Sequence, residues 1–98
     1  MKIRWSRRSL QDLREIGAFI RRDNPEAARR WVHRLQERAR SAASLPRAGR
    51  VVPEIQLDNV REVILGNYRI VYRLAEQEIE ILTVFESHRL FPIDPPED

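Results

Sequence analysis

The strongest constraint on the fold is a run of three apolar-rich segments separated only by very short turns. The segments are Val60 to Leu65, Tyr68 to Leu74 and Glu78 to Phe85, with Gly66-Asn67 and residues 75–77 between them. Connections this short join neighbouring strands that run in opposite directions. The C-terminal half of the sequence therefore predicts a three-stranded antiparallel meander.

The second of these segments alternates most clearly between two kinds of side chain. Tyr68, Ile70 and Tyr72 fall on one face, because successive side chains of a strand point to opposite sides. Arg69 and Arg73 fall on the other face. The third segment alternates at first and then becomes apolar throughout, which predicts a strand in the interior of the sheet.

A short candidate strand at residues 2–5 precedes an amphipathic helix, for which Ser6 or Ser9 is the expected N-cap. The apolar positions recur at three- and four-residue steps, which is the spacing of one helix face. They are Leu10, Leu13, Ile16, Gly17 and Ile20. We expect the charged side chains of the helix to point outward, namely Asp12, Arg14, Glu15 and Arg21.

A second helix is expected to begin at Asn24-Pro25 and to end before Pro46. Asparagine is a favoured N-cap, and proline is tolerated in the first helical turn. The short join predicts an antiparallel helical hairpin. One face of the second helix is apolar, with Ala28, Trp31, Val32, Leu35, Ala39, Ala42 and Leu45. Arginines dominate the remainder, at Arg29, Arg30, Arg34, Arg38 and Arg40.

The order strand, helix, helix, strand, strand, strand predicts an α+β fold, with the helical hairpin packed on one face of an antiparallel sheet. The opposite face, or a groove beside it, is expected to remain open to a partner. A chain of 98 residues is long enough for one domain, which we place at residues 1–90. Residues 46–54 read as a loop, and the proline-rich, acidic residues 91–98 as an extended tail.

Composition narrows the classes of function. The chain has no cysteine and only two histidines, His33 and His88, so neither a metal centre nor another cofactor is expected. The sequence has no apolar run of the roughly 20 residues that a membrane span needs, and we expect a cytoplasmic protein. Lys2 is the only lysine among 18 basic residues. Such a bias toward arginine reflects either codon usage or interfaces with phosphates or carboxylates.

The segments REVILGNYRIVYRL and IEILTVFESHR, together with the order of the elements, closely resemble toxins of the RelE/ParE superfamily of type II toxin–antitoxin systems. The resemblance covers about residues 2–90 and is closer to the ParE-like members. Its most specific part comprises PRAGR at 46–50, VPE at 52–54, REV at 61–63 and GNYRIVY at 66–72. It implies a growth inhibitor, of the kind that serves plasmid stabilization, held inactive by an antitoxin whose C-terminal segment wraps around it.

The superfamily implies two different activities. RelE-like members cut mRNA in the ribosomal A site, and ParE-like members act on DNA gyrase. If this chain is a nuclease, the resemblance points to Arg69, His88 and Arg89 as catalytic residues. Arg69 is alternatively a structural residue that pairs with Glu62 or Glu80 across the sheet.

The catalytic set of RelE-like nucleases is incompletely matched. No tyrosine follows His88, and Tyr68 and Tyr72 look like core or edge aromatics. The nearest counterparts of the basic pair that precedes the central strands are Arg47 and Arg50. We therefore interpret the chain as a ParE-like toxin that binds gyrase without being an enzyme itself. The alternatives are a ribosome-dependent mRNA endonuclease and a degenerate toxin that retains antitoxin binding only.

The cognate antitoxin is the expected partner. We expect it to lay an amphipathic helix against the helical hairpin and to add a strand at a sheet edge. The residues that we expect at this interface are Leu13, Ile20, Arg34, Arg38 and Arg73.

Overall fold

The computed structural model describes residues 1–96, so the last two residues of the expected tail lie outside the described part. Its elements are β1 (Lys2–Trp5), α1 (Arg7–Arg21), α2 (Pro25–Ser44), β2 (Arg50–Val51), β3 (Val60–Leu65), β4 (Tyr68–Leu74) and β5 (Glu78–Glu86). Within residues 1–96, neither helix is long and apolar enough to cross a membrane.

The strands form one sheet in the order β1-β5-β4-β3-β2. The antiparallel meander of β3, β4 and β5 is confirmed, and β5 lies in the interior between β4 and β1. The expectation of a wholly antiparallel sheet needs correction, because β1 pairs with β5 in parallel. These two strands come from opposite ends of the chain, so no local pattern specifies their relative direction. The two-residue β2, too short to show a pattern, extends the sheet beside β3.

Both expected helix caps are present. The Ser6 hydroxyl accepts a hydrogen bond from the Ser9 amide at 3.0 Å. The Asn24 side chain likewise accepts one from the Ala27 amide at 3.0 Å. Each bond satisfies one of the backbone donors that the first turn of a helix leaves unpaired. These caps therefore fix where each helix begins.

The main hydrophobic core lies between the helical hairpin and one face of the sheet. On the sheet side it contains the apolar set of β4, with Ile70 and Tyr72 fully buried. On the helix side it contains Leu35, also fully buried, and Leu13. The alternation in β4 therefore predicted the core-facing side of the sheet correctly.

A second, smaller core covers the opposite face of the sheet, which corrects the expectation that this face stays open. Its buried residues are Val52, Val60, Val71 and Phe85, with Ile55, Leu57, Leu82 and Phe91 packed against them. The loop after β2 and the beginning of the tail both fold over this face. The physical reason is that loop and tail carry apolar side chains, whose burial away from water lowers the free energy of the folded chain.

Asp12 is buried, which corrects the expectation that it points outward. One carboxylate oxygen accepts from the Thr83 hydroxyl at 2.6 Å and from the Val84 amide at 3.0 Å. The other accepts from Arg8 Nε at 2.9 Å. The two β5 donors lie beside the point where the β4–β5 register shifts. Asp12 therefore fastens α1 to an irregular part of β5.

Replacing Asp12 with alanine should destabilise the fold by about 1–3 kcal/mol, because two buried donors lose their acceptor. Urea unfolding of Asp12→Ala would measure this. Glu15→Ala, which removes an exposed carboxylate from the same helix, is the matched control and should change stability by less than about 0.5 kcal/mol. Equal effects of the two substitutions would contradict an anchoring role for Asp12.

Candidate functional site

Arg69 lies on the β4 face that points toward the second core, and its side chain is only 7% exposed. Its Nε donates to Glu62 Oε1 at 2.7 Å. Its two terminal nitrogens donate to the two oxygens of Glu54 at 2.8 and 2.7 Å. The expected pairing with Glu62 is confirmed, whereas Glu80 pairs with Arg73 and Arg4 instead.

Two aromatic rings complete the enclosure of Arg69. Its guanidinium carbon lies 5.0 Å from the centre of the Phe85 ring and 5.6 Å from that of Phe91. The two rings meet edge to face, with their centres 5.5 Å apart. A phosphate approaching Arg69 would have to displace a bidentate carboxylate and an aromatic contact. The arginine is therefore engaged in the fold rather than presented to a substrate.

Arg69, Glu54, Glu62 and Arg50 form what we call the arginine–glutamate cluster. Glu62 is fully buried and also accepts from Arg50 Nε. The hydrogen bonds from Arg69 lower the pKa of the Glu54 carboxyl to about 2, and those from Glu54 raise the pKa of Arg69 above its ordinary value. Glu54 and Arg69 therefore both stay ionised at neutral pH.

His88 and Arg89 follow β5 and are both largely exposed. They lie 3.7 and 3.8 Å from opposite oxygens of Glu86. No hydrogen bond or ion pair within residues 1–96 joins either of them to Arg69, whose partners are Glu54 and Glu62. The structure thus brings His88 and Arg89 together but keeps Arg69 in a separate cluster.

The tyrosines are core and edge aromatics, as expected. The Tyr72 hydroxyl donates to the Pro46 carbonyl at 2.6 Å, and the Tyr68 ring packs edge-on against Trp31. Burial raises the pKa of both phenols, so neither is prepared to act as a base at neutral pH. Arg47 and Arg50 are also engaged, by Asp58 and Glu62 respectively.

A groove of about 680 Å³ lies between α1 and α2, and its lining combines small apolar side chains with arginines. The apolar part is Leu10, Leu13, Gly17, Ala18, Pro25, Ala28 and Val32, and the polar part is Arg14, Arg21, Arg29 and Gln36. Gly17 allows α1 and α2 to pack closely at this groove, because a Cβ there would lie 3.2 Å from Val32. No acidic side chain of the described chain lines the groove.

The residues expected at the antitoxin interface lie in different places. Leu13 lines the groove, although only 5% of it is exposed. Ile20 is half-buried on α1 outside the groove lining, and Arg73 pairs with Glu80 on the sheet. Arg34 and Arg38 lie on another side of α2, where Arg34 stacks on the Trp31 ring and Arg38 donates to the Ile64 carbonyl.

Sequence reasoning missed Arg14, Arg21 and Arg29 as lining residues of the groove. In an isolated helix pattern each of them looks like an ordinary solvated arginine. Only the packing of α1 against α2 brings them to one groove. Within residues 1–96, no group of three or more histidine or acidic side chains is arranged to hold a metal ion.

The depressed pKa of Glu54 gives a pH dependence of stability. The Glu54 contribution is complete above pH 4.5, the ordinary value for a glutamate, and is lost as the pH falls from 4.5 toward 2. Urea unfolding at pH 7, 4.5 and 3 should therefore show that the free energy of unfolding falls less on acidification for Glu54→Gln than for the wild type. Identical acid losses would contradict a stabilising Glu54–Arg69 pair.

Comparison with known proteins agrees with this structure. The family described as the ParE toxin of the type II toxin–antitoxin system parDE matches residues 3–91. The toxin Y4kP of Sinorhizobium fredii is 39% identical over 93 residues, covering 93% of each chain. The toxin RelE2 of Caulobacter vibrioides is 33% identical over 87 residues, covering 88% of this chain and 94% of that one.

A solved chain of the chromosomal ParDE system from P. aeruginosa has the same fold, with a TM-score of 0.73 and 24% sequence identity. The match covers 88% of this chain and 95% of that chain. It includes the two helices packed on a mixed sheet. On the family match, the curated relatives and the shared fold, this chain belongs to the ParE toxin family of type II toxin–antitoxin systems.

Proposed function

We propose that this ParE-family toxin inhibits growth by binding DNA gyrase, and that its cognate antitoxin neutralises it by occupying the groove between α1 and α2. The observation that supports gyrase binding over RNA cleavage is that Arg69 already pairs with Glu54 and Glu62. Both candidate targets are cytoplasmic, so we place the toxin in the cytoplasm.

Cleavage of a phosphodiester bond needs a cation free to meet the charge that develops on the phosphate. It also needs a proton-transfer group within hydrogen-bond reach of the reacting oxygen. Arg69 already satisfies two carboxylates and is covered by Phe85 and Phe91. The remaining pair, His88 and Arg89, is exposed and contacts Glu86. This arrangement supports a binding protein over a nuclease.

Purified toxin should inhibit supercoiling by gyrase, and His88→Ala/Arg89→Ala should inhibit it equally well, because a toxin that acts by binding needs no proton-transfer pair. A parallel reaction with ribosomes and a defined mRNA should leave the mRNA intact. Cleavage of mRNA only when ribosomes are present, and its loss in the double variant, would overturn the gyrase proposal. Normal growth of cells expressing the toxin alone, with gyrase unaffected, would instead indicate a degenerate toxin.

The second candidate function is the ribosome-dependent endonuclease. Two observations favour it: a relative carries the name RelE2, and the exposed His88 imidazole lies at the end of β5 beside Glu86. An imidazole can both accept and donate a proton, so this side chain is chemically suited to acid–base catalysis. The gyrase supercoiling reaction and the reaction with ribosomes and mRNA distinguish this candidate from a gyrase poison.

The groove is suited to an amphipathic helix that carries acidic residues. Its floor is apolar, and three arginines, Arg14, Arg21 and Arg29, line it without any acidic neighbour in the lining. An apolar helix face gains from burial on such a floor, while carboxylates beside that face pair with the arginines. We therefore narrow the proposed antitoxin contact to the groove, with Leu13 at its floor.

Reversing two groove charges should weaken binding of the cognate antitoxin by about tenfold to a hundredfold, because like charges would face each other across the interface. The variant is Arg14→Glu/Arg21→Glu, and the measurement is isothermal titration calorimetry. Arg7→Glu/Arg22→Glu makes the same change in net charge on α1 and its C-cap outside the groove lining, and should bind normally. Equal weakening by both pairs would mean that net charge, and not the groove, governs binding.

A further inference from the structure

Three arginines on α2 form a row along one side of the helix. Arg30, Arg34 and Arg38 are four residues apart, so successive members are separated by about one helical turn, a rise of ~6 Å. We call this set the α2 arginine row. At 100° per residue it lies on the opposite side of α2 from the groove residues Ala28 and Val32. The row and the groove are thus separate surfaces.

The row is not neutralised by neighbouring carboxylates. The ion pairs within α2 join Arg29 to Glu26 and Arg40 to Glu37. No ion pair among residues 1–96 includes a member of the row. Most other arginines, such as Arg69, are paired with one or two carboxylates. The row is therefore a local excess of positive charge.

Two members of the row are held in position. The Arg34 guanidinium carbon lies 4.7 Å from the centre of the Trp31 ring, which itself packs on Tyr68. Arg38 donates to the Ile64 carbonyl at 3.2 Å and to the Ser41 hydroxyl at 2.9 Å. Prior ordering of long side chains reduces the entropy lost when a ligand binds.

The side chains around the row are more polar than those that line the groove, and this difference favours a different kind of partner. The neighbouring outward positions of α2 are polar, at His33, Glu37 and Ser41, whereas the apolar Ile64 beside Arg38 is 42% exposed. A protein interface normally has an apolar, fully buried centre, which one exposed isoleucine does not supply. Phosphate contacts need only positive charge and donors.

We propose that the α2 arginine row binds the phosphodiester backbone of a nucleic acid without reading its sequence. The planar guanidinium pairs with a phosphate through two parallel hydrogen bonds, which lysine cannot make. Because the row faces away from the groove, an antitoxin that occupies the groove, as we propose, leaves the row accessible. This contact is independent of whether gyrase is the target.

The test is fluorescence anisotropy of wild-type toxin with a labelled DNA duplex and a labelled RNA duplex, each about 20 base pairs long, over a range of salt concentrations. For DNA, Arg30→Gln/Arg34→Gln/Arg38→Gln should make the slope of log affinity against log salt shallower by about 2–3, close to 0.9 per lost phosphate contact. The DNA and RNA arms identify which backbone is preferred.

The matched control is Arg4→Gln/Arg40→Gln/Arg47→Gln, which also removes three positive charges, from arginines that already pair with carboxylates. It should retain the wild-type salt slope. Equal loss in both triple variants would overturn the proposal, because net charge alone would then explain binding. Wild-type binding to labelled polyglutamate but to neither duplex, lost in the Arg30→Gln/Arg34→Gln/Arg38→Gln variant, would also overturn it and assign the row to an acidic protein. Circular dichroism melts would check that both variants are folded.

Discussion

The burial of Arg69 is the interaction on which one whole side of this molecule depends. A guanidinium taken out of water costs several kcal/mol unless its donors are engaged. Here Glu62 comes from β3, Glu54 from the loop after β2, and the covering rings from β5 and the tail. One side chain therefore ties loop, sheet and tail together. The same contacts occupy the donors with which Arg69 would otherwise bind a phosphate.

Two basic surfaces lie on the helical hairpin, and they differ in how much apolar area accompanies the charge. The groove between the helices combines an apolar floor with Arg14, Arg21 and Arg29, so burial and charge can act together on a protein segment. The α2 arginine row has charge and ordered donors but little apolar area. If the antitoxin occupies the groove as proposed, the row on the other side of α2 stays accessible.

The candidate site was only partly predictable. Strand alternation predicted that Arg69 would pair with Glu62 or Glu80, but it did not choose between them. The structure chooses Glu62, which lies diagonally from Arg69 because Ile64 is the residue opposite Arg69. The second carboxylate, Glu54, could not be foreseen, since it lies in a loop whose path no periodic pattern specifies. The groove arginines could not be predicted for a similar reason. Arg14 and Arg29 become neighbours of one cavity only when two helices pack at a particular distance, which the small Gly17 permits.

The sequence by itself determined the helices, the strands other than β2, and the helix-facing side of the sheet. Ser6 and Asn24 capped the helices, Gly66-Asn67 fixed a turn, and alternation in β4 chose the core side, because each of these effects acts over a few residues. Only the tertiary structure decided that β1 runs parallel to β5, that Asp12 is buried on β5 and that the far face is covered. Those outcomes depend on contacts between distant segments, whose free energies arise only when the whole chain is packed.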